Sequence, residues 1–103
     1  MSVLSIPRRE ISSFCRRWKI AELALFGSVL RSDFSPKSDI DVLVTFASNE
    51  HWSLFDLARM KEELEKIFGR EVDLVEKTAV KKSKNWIRRK AILESAEVVY
   101  AAR

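Results

Sequence analysis

The sequence predicts an α/β chain: a mixed sheet flanked by helices. Three observations lead there. Short β-rich apolar runs alternate with longer stretches whose apolar residues recur at helical spacing, in the order α-β-α-β-α-β-α-β. Turn-forming residues separate the runs. With 103 residues, 47% of them apolar, the chain has material for one core, so residues 1–103 read as a single domain.

The first helix is expected from Ser5 to about Lys19, where Ile11, Phe14, Cys15 and Trp18 form one stripe and Pro7 suits the first turn. Leu23–Phe26 reads as a short buried strand ending at Gly27-Ser28, with a short helix from Val29 to Ser32 after it. Asp33–Ser38 is turn chemistry. Ile40–Phe46 is β-rich and mostly apolar, a central strand. Ala47–His51 reads as a loop. Trp52–Phe68 is then a helix with Leu54, Leu57, Ala58, Leu64 and Phe68 facing inward, closed by Gly69 as a left-handed cap. Glu71–Val75 is a third strand, Lys84 to about Glu94 a helix, and Val98–Tyr100 a short edge strand.

Two Gly and two Pro in the whole chain argue against disorder. No run approaches the roughly 18 apolar residues of a membrane span, and the first residues lack the pattern of a signal peptide. A lone cysteine, Cys15, has no partner for an internal disulfide and lies on an apolar stripe, where it packs. These features predict a cytoplasmic protein without membrane contact. The net charge of +4 suits nucleic acid, nucleotide or an acidic protein and selects none of them.

Asp39 and Asp41 stand at the start of the most apolar strand. Residues i and i+2 of a strand point the same way, so the two carboxylates converge. Two anions so placed repel unless a cation compensates, and oxygen ligands suit Mg²⁺. Asp73 lies in the next strand and completes a metal site if the strands of Ile40 and Val72 are neighbours. By itself the pair reads equally well as two solvated turn aspartates. Gly27-Ser28 adds a second signal. Glycine lets a backbone approach a ligand closely, and free N–H groups at a helix start beside a hydroxyl suit phosphate. A plain strand-to-helix turn is the other reading. Arg31, one turn on, is placed to touch phosphate or the aspartates, and reads equally well as an ordinary surface arginine.

The combination is more specific than its parts: Gly27-Ser28, ten residues, then Asp39-Ile40-Asp41. Phe26-Gly-Ser-Val-Leu-Arg31 and Ser38-Asp-Ile-Asp-Val-Leu-Val44 resemble the core of the polymerase-β-type nucleotidyltransferases, and most of all the minimal nucleotidyltransferases. The resemblance continues through the helix after Trp52, the Glu71–Val75 strand and the segment from Asn85 to Glu94. It implies the polymerase-β-like fold and transfer of a nucleoside monophosphate, AMP from ATP, to a hydroxyl. It implies that Gly27 and Ser28 hold the triphosphate and that Asp39, Asp41 and Asp73 bind two Mg²⁺ ions. It also implies a partner, a small helical HEPN protein whose tyrosine receives AMP, in a toxin–antitoxin pair where this chain is the antitoxin. Ser32 departs from the family, which often has Gly there. Alternatives are transfer to a small molecule, with a second copy completing the site, or a non-catalytic module that binds nucleic acid or a partner.

From Lys77 to Lys90 there are seven basic residues and no acidic ones, with Trp86 and Ile87 among them. The segment reads as a surface for nucleic acid, partner or nucleotide, or as a solvated helix. His51 has no companion at ligand spacing, and His51 with Trp52 is placed to border the nucleotide base.

Overall fold

The computed structural model describes residues 7–26, 39–47 and 52–102. Helix α1 spans Arg8–Arg17 and strand β1 Ile20–Phe26; strand β2 follows at Ile40–Phe46 and helix α2 at Leu54–Phe68. Then come β3, Val72–Glu76, two helices, α3 at Lys77–Lys81 and α4 at Trp86–Ser95, and β4, Glu97–Ala101. The helix expected at 29–32 and the 33–38 turn lie outside the described residues.

The sheet is mixed, in the order β3-β2-β1-β4. Strand β1 runs antiparallel to both β2 and β4, whereas β2 and β3 are parallel with Ile40 opposite Val72. That parallel pair needs a crossover, which α2 provides. Alternation along the strands then builds two apolar layers. Leu23, Leu25, Ile40, Val42, Val44 and Val72 pack with Ile11, Phe14 and Cys15 of α1 and Met60 and Leu64 of α2. Ala24, Phe26 and Leu43 face the other way and pack with Val80 of α3 and Ile92 of α4. The central strand is therefore buried on both faces, which is why it reads as a continuous apolar run.

The ends of the helices are fixed by short-range chemistry. Ser53 caps α2: its hydroxyl accepts from the Asp56 N–H at 3.2 Å, and the Asp56 carboxylate accepts from the Ser53 N–H at 3.0 Å. Gly69 closes the helix at φ 69°, as its position demanded. Asn85 caps α4 by accepting from the Arg88 N–H at 3.1 Å. Glu63 of α2 accepts from Arg17 and from Trp18 Nε1, joining the first two helices. The Arg8 guanidinium donates to the Val99 carbonyl and ties α1 to the edge strand β4.

Two sequence expectations change. Leu54 is 83% exposed and Ala58 is exposed too, while Met60 is fully buried. With Ser53 as cap, the inward stripe runs through Leu57, Met60, Leu64 and Phe68, and Leu54 turns outward at the first helical position. The second change is α3, a five-residue helix with Val80 as its buried anchor.

Candidate functional site

The site begins with register. Asp41 stands opposite Asp73 across the parallel β2–β3 ladder and opposite Phe26 across the β1–β2 ladder. Neighbouring strands lie about 4.8 Å apart, and register partners share a face, so the two carboxylates are adjacent. Alternation puts them on the face of Leu43 and Val75, the side that α3 and α4 cover farther along. Asp41 is half-buried and Asp73 exposed, so one acid is anchored in the sheet and its neighbour meets solvent. Asp39 is exposed and lies one residue before β2 begins. Among the described residues no three His, Cys, Asp or Glu side chains gather closely enough to hold a metal ion. The structure thus brings Asp41 and Asp73 together, with Asp39 at the start of the same strand.

Two hydrogen bonds lock this end of the sheet. The Ile40 N–H donates to the Glu71 carbonyl at 2.9 Å, fixing the chain between Asp39 and Asp41 against the start of β3. The Val72 N–H donates to the Glu65 carboxylate at 3.0 Å, fixing the residue before Asp73 to the end of α2. Glu65 is a positioning residue that sequence reasoning missed. Its only sequence signal is its place one turn before the Gly69 cap, where a charged side chain can reach the chain leaving the helix.

Gly27, Ser28 and Arg31 lie outside the described residues. Gly27 is bonded to Phe26, the residue that pairs with Asp41. His51 also lies outside them. Trp52 does not border the carboxylates. Its ring meets Trp18 edge-on at 5.1 Å and Phe46 at 6.4 Å. Phe46 is at the opposite end of β2 from Asp41, roughly 16 Å away at 3.3 Å per residue.

Two clefts border β3. One, of about 260 Å³, opens between α2 and the β3 edge, with Asp73, Leu57, Lys61 and Leu74 among its lining residues. The other, of about 160 Å³, has an apolar floor of Val75, Val80 and Ile92, with Ser83, Arg88 and Arg89 around it. Arg89 donates to the Ser83 carbonyl at 2.9 Å and is held there. Cys15 takes no part in this chemistry: burial pushes its thiol up to about 12.

The family model described as a nucleotidyltransferase domain matches residues 8–99. The protein adenylyltransferase MntA of Thermococcus cleftensis is 35% identical over 80 residues, 78% of this chain and 76% of that one. A proposed protein adenylyltransferase of Methanocaldococcus jannaschii is 39% identical over 64 residues; the match spans 62% of this chain and 64% of that protein's length. The solved structure of a proposed minimal nucleotidyltransferase superimposes with TM-score 0.66 at 32% identity, over 87% of this chain and 86% of that one. The fold also recurs, with TM-score 0.61 and 18% identity over 92% of this chain and 70% of that one, in a Shewanella oneidensis complex. That complex joins a tri-AMPylated HEPN toxin to an MNT antitoxin. The four-stranded mixed sheet, the family match over residues 8–99 and the identity to MntA agree: the chain belongs to the nucleotidyltransferase domain family, in its minimal branch.

Proposed function

We propose that this chain is a Mg²⁺-dependent enzyme that moves AMP from ATP to a hydroxyl of a protein partner. The acceptor in this reading is a tyrosine of a HEPN toxin, which makes the chain the antitoxin of the pair. The observation that carries the proposal is the Asp41–Asp73 register pair, in a chain 35% identical to a protein adenylyltransferase. The donor set fits a hard divalent cation: adjacent carboxylates on one face, one anchored in the sheet and one open to solvent, with Asp39 just upstream. Asp39, Asp41 and Asp73 would hold Mg²⁺, two ions in this reading. Bound there, the cation would neutralise charge on the triphosphate and lower the acceptor hydroxyl's pKa.

The chain's own groups do the rest. Gly27 and Ser28 hold the triphosphate through N–H and hydroxyl donors, and Arg31 adds a charge-assisted contact. The acceptor oxygen attacks the α-phosphorus. As that O–P bond forms, the bond to the bridging oxygen of the β-phosphate breaks and pyrophosphate leaves. The Asp73 carboxylate takes the acceptor's proton, and its exposure suits an acceptor carried on another molecule. Asp41, fixed between two strands, keeps the site preorganised.

Titration calorimetry tests the site. The protein binds Mg²⁺-ATP or Mn²⁺-ATP, and Asp41→Asn loses that binding while retaining its fold. Equal affinity in both proteins would contradict the carboxylate assignment.

A further inference from the structure

The head of α4 carries an exposure pattern that the transfer site does not use. Trp86 is 60% exposed and Ile87 64%, two large apolar side chains side by side in the first turn of the helix. In the same segment of chain Lys81, Lys82, Lys84, Arg88 and Lys90 are all exposed. Two further cations of this segment are engaged in the fold: Lys77 is 3.5 Å from Glu22, and Arg89 donates to the Ser83 carbonyl. The helix N-terminus is capped by Asn85, so the exposed side chains are what this surface offers a ligand.

We infer that the α3–α4 turn and the first turn of α4 form the docking surface for the acceptor protein, which meets it with an acidic rim around an apolar socket. The inference rests on the transfer reading for the acceptor's being a protein. Charge complementarity sets the rim, because five exposed cations stand with no acidic residue between Lys77 and Lys90. Trp and Arg are the anchors that interfaces favour, and two neighbouring exposed apolar groups gain most from burial in a socket. Ile87 argues for protein over nucleic acid. A phosphate backbone offers an aliphatic side chain nothing, and bases stack on aromatic rings.

Position agrees. Arg88 lines the same cleft as Val75. Val75 and Asp73 are two residues apart on one face of β3, roughly 7 Å along the strand. A protein seated on α4 therefore presents its flank to the carboxylate pair.

The test uses the full chain and a purified HEPN protein encoded in the same genome. Trp86→Ala with Ile87→Ala weakens association by about thirtyfold or more in calorimetry, the loss expected of anchor residues. Lys84→Glu with Arg88→Glu weakens it by about tenfold or more and flattens its salt dependence. Both variants keep the wild-type melting temperature and Mg²⁺-ATP affinity, because the altered side chains are exposed and none is among the proposed metal or triphosphate ligands. Wild-type affinity for the HEPN protein in both variants overturns the inference, as does the absence of any association by the wild-type chain. So does tighter binding of a single-stranded RNA oligomer that the same variants abolish. Docking and transfer fail separately. A HEPN protein that docks through α4 but gains no AMP sinks the transfer reading alone. AMP transfer at an unchanged KM in the Trp86→Ala, Ile87→Ala variant sinks the docking surface alone.

Discussion

At the scale of single residues, neighbouring acids on one sheet behave according to their surroundings. Asp41 sits between Phe26 and Asp73, and Ile40 and Val42 beside it are fully buried. The carboxylate of Asp41 therefore interrupts an otherwise apolar strand, on the face it shares with Asp73. Asp39→Ala and Asp73→Ala should each remove several kcal/mol of transition-state stabilisation, since each takes away one oxygen donor. Steady-state assays should show this as a loss in kcat, with melting temperature little changed. Cys15 behaves oppositely. Burial raises its pKa from 9.0 to about 12, so the folded chain holds the thiol proton more tightly than the unfolded chain. The stability this contributes is fully present below pH 9 and is lost as pH rises toward 12. Urea melts at rising alkaline pH should show a falling midpoint, and Cys15→Ser should flatten that fall. A thiol reagent should label Cys15 only on unfolding.

At the scale of elements, the sequence announced what periodicity and turn chemistry can announce. Strand β2 has the expected bounds, Ile40–Phe46, because both faces are buried and every residue but Asp41 favours a sheet. Gly69 was legible because a helix of this phase ends where only a left-handed residue fits. Ala at Gly69 meets no atom within 4 Å, so its cost is the backbone conformation alone, about 1 kcal/mol. Ser53→Ala should cost about 1 kcal/mol through the lost cap. Denaturation midpoints check both, and the two effects should add because the sites are opposite ends of α2. Helix α3 was not legible: Lys77–Lys81 is too short to show a stripe, and its helicity comes from Val80 docking on the sheet. The phase of α2 slipped because Leu54 looks like core until Ser53 is seen to cap the helix. The Glu65 link to Val72 is a contact between separate elements, which no local pattern encodes.

At the scale of the whole molecule, sheet order brings together residues that are distant in sequence. The D-x-D pair and Asp73 are more than thirty residues apart in sequence, and the adjacency of β2 and β3 makes Asp41 and Asp73 register partners. That adjacency was the condition the sequence left open. Strand β1 places Phe26 on the other side of Asp41. Strands β1, β2 and β3 thus meet at Asp41, while the head of α4 carries the exposed Trp86 and Ile87. On the proposed reading, in which another protein supplies the acceptor hydroxyl, the chain is expected to be slow alone and active with that protein.

Intact-mass spectrometry tests that claim most directly. The chain, Mg²⁺-ATP and the HEPN protein of the same genome are mixed, and the mass of each protein is followed with pyrophosphate release. The account predicts that the HEPN protein gains one AMP or a small multiple. It predicts no gain with Asp39→Ala or Asp73→Ala, and little pyrophosphate when the HEPN protein is left out. A HEPN protein of unchanged mass, under conditions where the complex forms, would contradict it.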